Sequence, residues 1–159
     1  MNRQKVLGLV GCFCILVLGF LGCSKGILPP SPTRVVLEIE TTATINPDIQ
    51  KIPSPVVVRF YQLKSPSKFN EADFISLYED DERVLGDDLV HSQEILLSPK
   101  DKKNVEFEAE DSVKCIACLA TFRQQNNSRW RDLITVEPHK TTTIKVNVSG
   151  TTIKMTQKP

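Results

Sequence analysis

The chain has few of the residues on which several kinds of function depend. Aromatic residues make up only 6% of its 159 residues, and 20 Lys and Arg nearly balance 19 Asp and Glu. Nucleic-acid-binding domains show a basic excess, so no nucleic-acid partner is expected. The two histidines, His91 and His139, lie in no nucleophile motif such as GxSxG, and the glycines form no phosphate-binding loop.

Metal and redox chemistry have equally little support. The acids at residues 79–82 lack the alternation, glycine and distal Glu of a calcium loop, so a solvated helix end is expected there. Cys115 and Cys118 form a CxxC inside a strand pattern, where residues three apart are separated by about 10 Å and point to opposite faces. A zinc site would need a second Cys or His pair. The sequence therefore predicts buried core thiols, with a local disulfide as the lesser alternative, and no catalytic residue, metal or cofactor.

Residues 1–22 have the composition of a secretory signal peptide. Arg3 and Lys5 precede 16 uncharged residues at positions 6–21, and a small residue, Gly22, ends the segment. A transmembrane anchor is the alternative interpretation, but a spanning helix needs about 20 apolar residues.

A lipid attachment site follows this segment. The letters FLGC at residues 20–23 resemble the lipobox of bacterial lipoproteins, in which the cysteine is diacylated and becomes the new N-terminus. We therefore expect lipidation at Cys23. Ser24 is not the Asp that marks retention in the inner membrane, which favours the outer membrane. Residues 24–33 hold three prolines and little to bury, so together with Cys23 they predict an extended tether of about 30 Å.

The remaining chain, residues 34–159, predicts a single all-β domain. Apolar alternation and β-forming residues predict eight strands, at residues 34–42, 56–63, 89–97, 105–109, 113–123, 131–137, 141–148 and 151–156. One helical region, near residues 66–83, follows the second strand, and Asp73 is the expected cap of its second helix. Short strands at this spacing indicate a two-sheet β-sandwich with a small helical insertion.

Five motifs in sequence order resemble those of a known family. They are VVRFYQLKS at residues 57–65, ADF at 72–74, LGDDL at 85–89, LATFR at 119–123 and SRWR at 128–131. After a lipobox, this ordered set resembles the TssJ-type outer-membrane lipoproteins of the type VI secretion system. One departure is confined to a turn, where residues 98–100 read SPK and relatives often have Pro-Gly.

The resemblance implies a transthyretin-like sandwich with a structural, non-enzymatic role. Such a lipoprotein is anchored in the outer membrane, faces the periplasm and docks the periplasmic domain of the large inner-membrane IcmF-like (TssM) subunit. No cofactor and no small-molecule substrate are implied. The rival hypothesis is a periplasmic lipoprotein that binds a sugar or peptide in a sizeable pocket with convergent polar groups.

In this family the loop between the first two strands contributes to the partner contact. Here that loop spans residues 43–53, and its isoleucines, Ile45, Ile49 and Ile52, are unusual for a merely solvated Pro-rich loop. Two interpretations remain open: the isoleucines meet the partner, or they fold back onto the sandwich. The helical insertion is a second candidate contact surface. The candidate partner-binding residues are Ile45, Asn46, Pro47, Asp48, Ile49, Gln50 and Lys51.

Overall fold

Eight strands form two four-stranded sheets. The computed structural model describes residues 30–158, and its strands are β1 (Thr33–Thr41), β2 (Val56–Leu63), β3 (Leu89–Leu97), β4 (Lys102–Ala109), β5 (Cys115–Ala120), β6 (Arg131–Thr135), β7 (Thr141–Ser149) and β8 (Thr152–Gln157). The first sheet has the order β4–β1–β7–β8 and the second the order β3–β2–β5–β6. The predicted eight-stranded sandwich is confirmed. The expected signal peptide and Cys23 lie outside the described residues.

The inner faces of the two sheets form the main core. Along β7, Ile144, Val146 and Val148 are fully buried and the residues between them point outward, as the two-residue period of a strand requires. Val58 and Phe60 of β2 meet them from the opposite sheet. The apolar pattern that predicted the strands therefore also defines the core.

Two short helices cover the outer face of the second sheet. They are α1 (Ser67–Glu71) and α2 (Phe74–Leu85), and a short turn of 3-10 helix, Gly86–Asp88, leads on to β3. Asp73 caps α2, because its carboxylate accepts the backbone N–H of Ser76 over 3.0 Å, as expected. Within residues 30–158, neither helix has the length and apolar composition needed to cross a membrane.

Three strands differ from the predicted ones by two residues or more at one or both ends. β4 begins at Lys102, three residues before the predicted start, because its first residues are polar and give no apolar signal. β5 covers only Cys115–Ala120, since Val113 and Phe122 are buried although they lie outside the strand. β6 ends at Thr135, two residues before the predicted end.

The strand register places the start of β1 and the loop after β1 at opposite ends of the sandwich. β1 runs parallel to β7, and Thr41 pairs with Val148, so the β7–β8 turn lies beside the loop that leaves β1. We call this the loop end. Thr33, the first residue of β1, pairs with Ala109 at the other end, which we call the tether end. The nine residues of β1 separate the two ends by about 30 Å.

Candidate functional site

The loop between β1 and β2, residues 42–55, is fixed to the domain through Asn46. The backbone N–H of Asn46 donates to the Gly150 carbonyl over 2.7 Å, and its Nδ2 donates to the Pro55 carbonyl over 2.6 Å. Its Oδ1 accepts the backbone N–H of Arg123 over 2.8 Å. Asn46 is buried and has a φ of 45°, a left-handed conformation that asparagine tolerates better than most residues. Asn46 therefore ties the loop to the β7–β8 turn and to the β5–β6 connection.

The tip of the loop is closed around Asp48. Oδ1 of Asp48 accepts the backbone N–H groups of Gln50 over 2.9 Å and of Ile52 over 2.8 Å. The Asp48 N–H donates to the Ile52 carbonyl and its carbonyl accepts from the Lys51 N–H, both over 3.0 Å. These four hydrogen bonds turn the backbone through residues 48–52 and leave Ile49 at the apex.

One of the three loop isoleucines folds back onto the sandwich, and the other two are exposed to solvent, where a partner could reach them. Ile45 is fully buried and belongs to the main core, whereas Ile49 is 90% exposed and Ile52 58% exposed. A buried Ile45 fixes the base of the loop, so it and Asn46 present no side chain to a partner. The candidate residues at the surface are Pro47, Asp48, Ile49, Gln50 and Lys51; the first two are half-buried and the last three are exposed.

Two further segments, which the sequence motifs do not indicate, complete this surface. Gln124 Nε2 donates to the carbonyls of Pro47 over 3.2 Å and Asp48 over 3.3 Å. Gly150 and Thr151, in the β7–β8 turn, line a cavity beside the loop. These residues lie at least 69 positions from the loop in sequence, and nothing in their local sequence indicates the contact.

The CxxC cysteines are buried thiols, as predicted. Cys118 packs in the main core between the sheets and Cys115 packs under the helices, so the two side chains point to opposite faces of β5. Both are free within residues 30–158. Burial raises the pKa of the Cys115 thiol to about 11, with the Asp88 carboxylate adding to the effect, and burial also raises the pKa of Cys118. Neither thiol has the lowered pKa of a redox nucleophile.

The acidic residues 79–82 were expected to be solvated at a helix end, but one of them, Asp81, is largely buried. Asp81 Oδ2 accepts from Arg59 Nη1 over 2.6 Å, and both side chains are largely buried between α2 and β2. The neighbouring Asp80 pairs with Arg83 at the surface. Asp81 therefore holds the helix to the sheet.

The remaining sequence candidates stay apart from one another. His91 is exposed on β3, and His139 lies in the turn before β7 with a φ of 62°. Among residues 30–158, no three His, Cys, Asp or Glu side chains come close enough to hold a metal ion.

These findings describe a β-sandwich domain whose prominent surface feature is a fixed loop with an apolar tip, held about 30 Å from the start of β1.

This chain belongs to the family of type VI secretion lipoproteins that includes VasD, EvfM and TssJ, because the family model matches residues 33–151. The crystal structure of the lipoprotein TssJ1 from Pseudomonas aeruginosa is 26% identical, with a TM-score of 0.77, and the match covers 82% of this chain and 98% of that one. A comparison with curated protein sequences gives no significant match.

Two further structures contain a similar chain. A chain in a type VI membrane complex is 30% identical, with a TM-score of 0.64 and coverage of 79% of this chain and 98% of that one. A structure described as the TssM C-terminal domain (869–1107) from EAEC gives 28% identity, a TM-score of 0.62 and the same coverage. The resemblance drawn from the sequence motifs is therefore confirmed.

Proposed function

We propose that this lipoprotein docks the periplasmic domain of the IcmF-like (TssM) inner-membrane subunit and thereby ties the type VI membrane complex to the outer membrane. The role is structural and non-enzymatic. The observation that carries the proposal is the exposure of Ile49 on a loop that Asn46 and Asp48 hold in one conformation. A partner that covers this side chain removes its apolar surface from water, which stabilises the complex.

The solved structures support TssM as this partner. The chain matched in the TssM structure is almost wholly covered by this domain, so it has about the length of the domain. A fragment spanning residues 869–1107 is considerably longer, so we infer that the matched chain is the companion of the fragment in that structure. A companion of that fold bound to TssM is what the proposed function requires.

The two ends of the sandwich suit the two attachments. In this proposal acylated Cys23 enters the outer membrane, and residues 24–32 lead to Thr33 at the tether end. The loop then faces away from the membrane, toward a subunit rooted in the inner membrane. Each buried CH₂ of an acyl chain contributes about 0.8 kcal/mol, so a multiply acylated cysteine gives firm attachment. Several such subunits on one oligomeric partner would bind with added avidity.

A pull-down from detergent-solubilised envelopes tests the role and the loop together. The baits are the tagged full-length protein, its Ile49→Ser variant and a matched control, Ile75→Ser, which removes an exposed isoleucine on α2. We expect the parent and the control to recover the TssM-type subunit and Ile49→Ser to lose most of it. Loss with Ile75→Ser alone would move the contact to the helical insertion. Failure of the parent to recover any secretion-system subunit would favour the sugar- or peptide-binding lipoprotein instead.

A further inference from the structure

A groove runs beside the loop, between its tip and the β7–β8 turn. It has a volume of about 690 Å³, and its walls include Thr44, Pro47, Ile49, Gln124, Gly150 and Thr151. A Cβ placed on Gly150 would meet no atom within 4 Å, so the groove is open over the turn. The groove is thus large enough for one or more side chains of another protein.

Both walls of the groove are held in place before any partner arrives. The Asn46 N–H donates to the Gly150 carbonyl over 2.7 Å, which joins the loop to the turn at the floor. Gln124 Nε2 donates to two loop carbonyls, and the Arg129 N–H donates to the Thr151 carbonyl over 3.0 Å. A preformed groove loses little conformational entropy when it is filled, which favours binding.

The chemistry of the groove suits an apolar side chain with a polar flank. Ile49 and Pro47 give one wall an aliphatic surface, and in the other wall Gly150 contributes no side chain beside Thr151. The Asp48 carboxylate, which also borders the groove, already accepts two backbone N–H groups. Lys51 stands at the rim and provides a positive charge there.

We propose that the docking surface extends from the loop across this groove, and that the groove receives an apolar side chain from the TssM-type partner, packed between Ile49 and the β7–β8 turn. This inference rests on the proposed function, and the groove continues the surface that the proposed function assigns to the loop. It makes Thr151 a specificity-determining residue, because any larger side chain there occupies the space of the partner's side chain.

Substitutions at Thr151 test the groove separately from the loop tip. The probe is the purified periplasmic C-terminal domain of a TssM-type subunit from the same organism, titrated against the full-length lipoprotein in detergent. Thr151→Trp fills the groove and leaves Ile49 exposed, whereas Thr151→Val keeps the shape and removes only the hydroxyl that donates to the Asn127 carbonyl. Thr141→Trp places the same bulk at an exposed position at the tether end of β7.

We expect Thr151→Trp to weaken binding at least about tenfold, with an unchanged melting temperature, while Thr151→Val and Thr141→Trp bind as the parent does. If Ile49→Ser weakens binding but Thr151→Trp does not, the groove inference is wrong and the proposed docking role stands. If Thr151→Trp and Thr141→Trp weaken binding equally, the groove is also overturned. If the parent itself fails to bind the probe, the docking role is what fails.

Discussion

The guanidinium of Arg59 joins α2 to the second sheet through Asp81. Nη1 of Arg59 donates to Asp81 Oδ2 over 2.6 Å and to the Leu77 carbonyl over 3.3 Å, while Nε and Nη2 both donate to Glu94 Oε1. The Arg59 and Asp81 side chains are 18% and 15% exposed, whereas Glu94 is 55% exposed. The helix kinks next to this contact, because Asp80 has a φ of −153° and a ψ of 61°.

Removing the charge of Asp81 should therefore cost more stability than removing that of Glu94. We expect Asp81→Asn to lower the free energy of unfolding by about 2 kcal/mol, since it leaves the largely buried Arg59 without its only largely buried carboxylate partner among the described residues. Glu94→Gln should cost less than about 1 kcal/mol, because water replaces an exposed carboxylate easily. Urea denaturation of both variants measures the difference, and equal losses would show that burial does not decide the strength of these pairs.

Substitution by alanine should lower the stability of the domain at Ile45 and the affinity for the partner at Ile49. Ile45→Ala opens a cavity in the core and should lower the free energy of unfolding by about 2–5 kcal/mol. Ile49→Ala removes an exposed side chain and should change it by less than about 0.5 kcal/mol. Binding of the TssM-type domain should fall mainly with Ile49→Ala when both variants are measured well below their melting temperatures. A stable Ile45→Ala variant would contradict the core position of that residue.

The strands were predictable where one face is apolar and the other polar. β7 was placed to within one residue because Ile144, Val146 and Val148 alternate with polar residues. The sequence does not predict the start of β4, because this edge strand begins with two exposed lysines, Lys102 and Lys103. An alternation of apolar and polar residues predicts a strand, and where both faces of a strand are polar there is no such alternation to indicate it.

The candidate site was less predictable because long-range contacts decide it. Ile45 and Ile49 are the same residue type on one Pro-rich loop, yet the first is buried in the core and the second is exposed. What separates them is the hydrogen bond between Asn46 and Gly150, 104 positions away in the chain. The Asp81 partner, Arg59, is likewise 22 positions away. Such contacts appear only once the sheets are assembled.

The anchor prediction concerns residues outside the described part of the chain. Cys23→Ser removes the expected acylation site and leaves residues 30–158 unchanged, so the domain should fold normally. We expect this variant in the soluble periplasmic fraction and the parent in the outer-membrane fraction after separation of the envelope. The variant should still bind the purified TssM-type domain, because the loop lies at the opposite end of the sandwich. A variant that still sediments with outer membranes would contradict the lipid anchor.

The buried thiol of Cys115 should make the domain less stable in alkaline solution. In the unfolded chain the thiol ionises near its ordinary pKa of 9.0, whereas the folded domain keeps it protonated up to a pKa of about 11. Above pH 9 the unfolded state therefore binds fewer protons than the folded state, and stability falls as the pH rises. The contribution of this thiol is complete below pH 9 and is lost between pH 9 and 11. The parent should lose stability more steeply over this range than Cys115→Ala, and parallel curves would show that the thiol does not contribute.

Asn46 should determine the rigidity of the loop, and its buried side chain should make no contact with the partner. Asn46→Ala leaves the Pro55 carbonyl and the Arg123 N–H without their partner, which should cost about 2–3 kcal/mol of unfolding free energy. Hydrogen exchange of the amides at residues 50–52 should become faster, because the base of the loop is no longer tied to the β5–β6 connection. Asn147→Ala, at an exposed position on β7, is the control and should change neither quantity. Unchanged exchange in Asn46→Ala would mean that the hydrogen bonds of Asp48 alone fix the tip.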